Sequence, residues 1–129
     1  MILVDTTVWI DFFRGKPSPQ INLFETAIEH QQEIFICGVI LTEILQGVHE
    51  SKEYKIVSTA LEPFSYIEMS RETYIGAADI YRKLRIKGFT VRKIVYCLIA
   101  ACAIENNLLL LHNDKDFTPI AKYCGLKVL

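Results

Sequence analysis

An α/β fold, a parallel sheet covered by helices on both faces, is what this sequence predicts, on three observations. Short apolar runs alternate with longer stretches of helical periodicity, the order that builds strand–helix–strand units. The runs are apolar at nearly every position, as strands buried on both faces are, rather than alternating. An acid also stands where the first and the last strong run stop, Asp5 after Ile2-Leu3-Val4 and Asp114 shortly after Leu108 to Leu111.

Taken in order, Ile2 to Val4 is the first strand, and Thr6 and Thr7 can cap a helix whose Val8, Trp9, Phe12 and Phe13 recur at helical spacing. Trp9, Phe12 and Phe13 suit a core or a dimer surface equally. Arg14 to Pro19 is a loop by its Gly and Pro content, and Ile21 to His30 follows as a helix with Leu23, Phe24, Ala27 and Ile28 on one face. Ile34 to Cys37 is the second strand. From Gly38 onward comes an apolar stripe, Ile40, Leu41, Ile44, Leu45 and Val48, in which Glu43 is the only charge.

A polar helix over Ser51 to Leu61 leads to a third strand at Phe64 to Ile67. A long helix from Arg71 to Ile86, with Tyr74, Ala77, Ala78, Tyr81 and Leu84 inward, is stopped by Gly88. Thr90 is then a cap for a helix from Val91 to Asn106, apolar nearly all round and so central to the fold. Leu108 to Leu111 is the strongest strand and ends in His112-Asn113-Asp114-Lys115-Asp116. A last helix, Phe117 to Tyr123, precedes Gly125 and a final Leu126-Lys127-Val128.

With 129 residues, 51% of them apolar and 22% charged, the chain is expected to be one domain over 1–129 with a single core. A formal net charge of -1 gives no global field for nucleic acid, so any such contact needs a local basic patch. Cys37, Cys97, Cys102 and Cys124 lack paired spacing and read as reduced core thiols. The longest apolar run falls far short of a membrane span, and no leader precedes the first strand, so a cytoplasmic protein without membrane contact is expected.

If the first and fourth strands are neighbours, Asp5 and Asp114 meet at the carboxyl edge of the sheet, the edge where open α/β sheets bind ligands. Glu43, early in the helix after the second strand, approaches from beside them. Clustered carboxylates raise one another's pKa unless a cation holds them, which points to a hard divalent ion bound through oxygen, Mg²⁺ or Mn²⁺. Such a site suits hydrolysis of a phosphodiester. Capping of the following helix accounts for Asp5 equally well at this stage.

The chain resembles the PIN-domain nucleases, and most closely the VapC-type toxins of bacterial toxin–antitoxin pairs. Ile2 to Trp9 is similar to their opening strand and first acid, and Leu41 to Gly47 carries the second, Glu43. Gly88 to Arg92 leading into Cys97-Leu98-Ile99-Ala100-Ala101, then Leu111 to Phe117, is similar to the third and fourth blocks. The resemblance spans the whole chain. It implies a three-layer, PIN-like fold with a five-stranded parallel sheet, and a Mg²⁺-dependent endoribonuclease acting on RNA. It also implies a cognate antitoxin partner and a homodimer within the complex. Asp5, Glu43 and Asp114 carry over as catalytic, metal-site acids. Asp116 carries over as a fourth metal acid, with capping of the last helix fitting it as well.

The chain departs from that pattern at one place. The family has an acid immediately before the Cys-Leu-Ile-Ala-Ala run, and here the residue is Tyr96. A neutral phenol is a poor replacement for a carboxylate ligand, so a weakened or inactive ribonuclease is expected, with an inactive antitoxin- or RNA-binding module as the alternative. Arg85, Lys87, Arg92 and Lys93 concentrate charge beside this position and are the candidate RNA contacts, solvated helix faces being the plain alternative. His112 suits a local hydrogen bond better than proton transfer. A phosphoacceptor role for Asp5 is disfavoured because residue 7 is Thr7 rather than a second Asp.

Overall fold

The structure, a computed structural model, describes residues 1–129. Four strands, β1 (Ile2–Val4), β2 (Ile34–Cys37), β3 (Ser65–Ile67) and β4 (Leu109–Leu111), form one parallel sheet in the order β3-β2-β1-β4. The expected fifth strand is reduced to a single parallel bridge between Leu110 and Val128. Its register is held by Leu110 N–H on Lys127 O at 2.9 Å and Leu129 N–H on Leu110 O at 3.0 Å. Pairing along β1 runs Ile2–Leu109, Leu3–Leu110 and Val4–Leu111, so β1 and β4 end together.

Seven α-helices wrap this sheet: α1 (Thr6–Arg14), α2 (Pro19–Glu29), α3 (Gly38–Gln46), α4 (Ser51–Leu61), α5 (Arg71–Ile86), α6 (Ile94–Glu105) and α7 (Thr118–Cys124). A 3₁₀ turn over Lys115–Phe117 joins β4 to α7. The chain lays down β1, β2 and β3 outward in one direction, then returns through α5 and α6 to place β4 on the other side of β1. Parallel neighbours require such crossovers, and their uniform right-handedness clothes both faces of the sheet. The strand order therefore reverses between β1 and β4. That reversal opens a crevice beyond the carboxyl ends of those two strands.

The core is a single cluster of 30 buried residues, in which every residue of β1 is included because helices cover both its faces. Trp9 lies fully buried at its centre. Its indole N–H donates to Val4 O at 3.0 Å, and its ring meets those of Phe24 and Phe64 edge-on at 4.9 and 4.8 Å. Phe12 and Phe13 are half-buried against the same cluster, which places all three of these aromatics on the core side.

Several boundaries and faces differ from expectation. The cap of α1 is Asp5 itself rather than a threonine, its side chain accepting from Thr7 N–H, which leaves Thr6 and Thr7 in the first turn. Helix α2 starts at Pro19 behind a Ser18 cap and buries Ile21, Phe24 and Ala27, while Leu23 and Ile28 stay exposed. In α5 the inward stripe is Thr73, Ala77, Ile80 and Leu84, with Tyr74 and Ala78 outside it. Thr90 caps nothing: α6 begins at Ile94, because Phe89 first turns back to bond Leu84 O and pack on the Tyr123 ring. All four cysteines are free thiols, three of them buried. No helix is long and apolar enough to cross a membrane.

Candidate active site

Two buried strands that end side by side carry their next residues to one place. Asp5 follows β1 directly, its N–H bonding Leu111 O of β4 at 2.9 Å, and Asp114 stands three residues beyond the end of β4. Helix α3 brings Glu43 alongside. Asp5, Glu43 and Asp114 line one cleft of about 200 Å³ together with Thr6, Thr7, Lys93 and Tyr96. Sequence reasoning needed the β1–β4 adjacency as an assumption; the pairing supplies it.

Asp5 is the most constrained of these acids. Its residue is only 3% exposed, and its Oδ2 accepts from Thr7 N–H at 3.0 Å and Thr7 Oγ1 at 2.6 Å. Burial lifts its pKa to about 6, the Glu43 charge adds to the rise, and the Thr7 donors oppose it. Capping α1 and facing the cleft are thus both done by this carboxyl, and the two readings of it are compatible.

The other two acids are each turned to a hydroxyl. Thr6 Oγ1 donates to Glu43 Oε1 at 2.7 Å, joining α1 to α3 across 37 residues. Tyr96 Oη donates to Asp114 Oδ2 at 2.8 Å, while Asp114 Oδ1 caps the 3₁₀ turn by accepting from Asp116 N–H at 3.0 Å. Partial burial, with the Asp114 bond next, pushes the Tyr96 phenol well above its ordinary pKa, so it remains a proton donor. Thr7 Oγ1 also accepts from Asn113 N–H at 3.1 Å, tying the two strand ends together. These threonine roles were missed at the level of sequence, where a Thr after an Asp signals a cap and nothing about partners 37 and 106 residues away.

Asp116 does not line the cleft. It pairs with Arg92 at 2.7 Å, and the guanidinium, 73% exposed, holds its carboxyl below the usual range. Of the basic residues, Lys93 alone lines the cleft, Lys87 lies with its ammonium 5.7 Å above the Tyr123 ring, and Arg85 is exposed. His112 Nδ1 accepts from Asp114 N–H at 3.1 Å, and burial lowers its pKa, which leaves a neutral imidazole bonded to its own loop.

The donors around the cleft are all oxygen, the set a hard divalent cation takes, and the raised Asp5 carboxyl is one that a cation would return to the ionised form. As the side chains stand, no three His, Cys, Asp or Glu groups are gathered to hold one ion. Glu43 and Asp114 each lie against a hydroxyl instead.

Residues 2–123 match the PIN domain family. Ribonuclease VapC11 of Mycobacterium tuberculosis is 33% identical over 129 residues, covering 98% of this chain and 96% of that protein. Among solved structures, VapBC2 from Rickettsia felis bound to a DNA fragment from their promoter superposes with a TM-score of 0.81 at 19% identity, covering 100% of this chain and 98% of the other. A toxin-antitoxin complex from Klebsiella pneumoniae gives 0.71 at 22% identity, over 91% and 90%. With its strand order, its crevice acids and these likenesses in agreement, the chain belongs to the PIN-domain family, in the VapC group.

Proposed function

We propose that the chain is an endoribonuclease toxin of a toxin–antitoxin pair, acting in the cytoplasm on RNA phosphodiester bonds with Mg²⁺ or Mn²⁺. The observation that carries this reading is the convergence of Asp5, Glu43 and Asp114, from three separate segments, on one cleft at the β1–β4 reversal. A relative named as a ribonuclease and a structural neighbour described as a toxin-antitoxin complex support it. Asp5, Glu43 and Asp114 would hold the ion, which supplies an activated water and neutralises charge on the phosphate oxygens when bound. Thr6 and Thr7 are positioning residues, holding Glu43 and Asp5 by their hydroxyls. Lys93 at the cleft, with Arg85, Lys87 and Arg92 around it, would meet the RNA backbone.

Tyr96 weakens the site. Its hydroxyl occupies an Asp114 oxygen and adds no charge, where the resembled family has an acid. Metal affinity then falls by roughly tenfold or more. That same hydrogen bond favours a second reading, a PIN domain without turnover that still binds antitoxin or RNA. Cleavage of a mixed RNA substrate with and without Mg²⁺, by the chain, by Tyr96→Asp and by Asp5→Asn, separates them. We expect weak metal-dependent cleavage, increased by Tyr96→Asp and lost in Asp5→Asn. Activity in Tyr96→Asp alone selects the second reading, and no metal-dependent cleavage by either form refutes the first.

For the antitoxin, a hollow of about 350 Å³ between α1, α3 and α4 presents Ile10, Phe13, Ile44, Val48 and Val57, an apolar floor for an amphipathic helix. Ile10 lines both this hollow and the acid cleft, so a bound segment can run from one to the other. The exposed Ile86 and Ile94, on either side of the basic loop, support a homodimer within the complex.

A further inference from the structure

A second hollow, of about 310 Å³, lies on the same edge of the sheet and has no part in the chemistry above. Gly38 and Val39, directly after β2, and Glu68 and Met69, directly after β3, line it with Thr42, Tyr66 and Tyr74. Thr42 precedes Glu43 on α3, so the two hollows flank one helix turn, about 100° apart around its axis.

Tyr66 and Tyr74 are 50% and 51% exposed, and neither ring stacks on another aromatic side chain. Tyr66 brings its hydroxyl close to Gly38. A Cβ on residue 38 would stand 2.9 Å from its hydroxyl oxygen, so a larger residue there would displace the phenol from the start of α3. Glu68 is exposed and has no cation partner, since the chain's only ion pair is Arg92–Asp116. Two half-exposed tyrosines without aromatic partners, beside an unpaired carboxylate, suit a flat group that stacks and donates hydrogen bonds. A phosphate would be repelled by Glu68, so a base enters and the backbone stays outside.

The bases differ in what they offer a carboxylate. Guanine presents two adjacent donors, N1–H and the N2 amino group, to both carboxylate oxygens. Adenine and cytosine set one amino group beside an acceptor nitrogen, and uracil flanks one N–H with two carbonyls. We propose that the Tyr66–Tyr74–Glu68 hollow is a guanine subsite, which stacks one base of a single-stranded RNA on a tyrosine and reads its Watson–Crick edge with Glu68. The subsite rests on the ribonuclease reading, and it gives that activity a base preference next to the cleavage point.

The test uses the intact chain with metal chelated, so that binding is read without turnover. The four ribonucleoside 5′-monophosphates are titrated while tyrosine ring resonances are followed by NMR, exposed Tyr54 serving as the internal control. Guanosine monophosphate is expected to shift Tyr66 and Tyr74 but not Tyr54, and to bind about fivefold or more tighter than the other three. Glu68→Gln should erase that preference while stacking persists, and Tyr74→Ala should weaken every nucleotide. Equal affinities, no shift, a preference that survives Glu68→Gln, or a response to antitoxin alone would overturn the proposal. RNA cleavage is measured separately. Cleavage without guanine binding removes the subsite only, and guanine binding without cleavage removes only the nuclease reading.

Discussion

Asp5 shows what one buried carboxyl does to the molecule. Its pKa of about 6 in the fold against 3.8 when unfolded means that the folded state binds more protons between those values. Stability from this group is therefore greatest below pH 4, falls as pH rises through about 6, and is flat above. The difference corresponds to about 3 kcal/mol at neutral pH. We expect urea unfolding of the metal-chelated protein to show this loss between pH 4 and 7, and Asp5→Asn to lack it and to be the more stable at pH 7. A wild-type profile parallel to that of Asp5→Asn would contradict the assignment. The acid was legible in the sequence because a charge stands where the run Ile2-Leu3-Val4 stops. Its neighbours were not: the bonds of Thr6 to Glu43 and Tyr96 to Asp114 depend on which segments the sheet brings together, and no local pattern encodes that.

At the scale of elements, periodicity located helices better than it oriented them. Helix α5 is expected over Arg71 to Ile86 and is found there, yet apolar residues flank its stripe on both sides, and packing buries Ile80 and leaves Tyr74 outside. Thr90 had the chemistry of a cap, but α6 starts later because the intervening residues are fastened to α5 and α7 through Phe89. That fastening disperses a basic run that looks continuous in sequence: Lys93 reaches the cleft, Arg92 is tied to Asp116, and Lys87 covers Tyr123. Replacing Arg85, Lys87 and Lys93 with Gln should weaken RNA binding alike for all sequences. It should also reduce the slope of log K against log salt by about 0.7 for each lost phosphate contact to a single strand. Filter binding across a salt series would measure this, and an unchanged slope would show that these residues are solvated only.

For the whole molecule, alternation of runs was enough to indicate a parallel α/β sheet, whereas strand order could not be read from it. The reversal between β1 and β4 is what gathers the acids, and the shrinkage of the fifth strand to one bridge lies in pairings that the apolar pattern of Leu126 to Val128 does not reveal. Because Ile10 lines both the apolar hollow and the acid cleft, an antitoxin that lays a helix in the first and a basic side chain in the second competes with the ion for the same carboxylates. Millimolar Mg²⁺ should then weaken the complex, measured by calorimetry, and Asp5→Asn should remove that dependence; affinity indifferent to Mg²⁺ would place the anchor elsewhere. The Thr7–Asn113 bond spans 106 residues, and β4 follows β1, β2 and β3 along the chain. Translation must therefore pass Asp114 before it can join Asp5, so the acid cleft closes only after β1, β2 and β3 have all been synthesised.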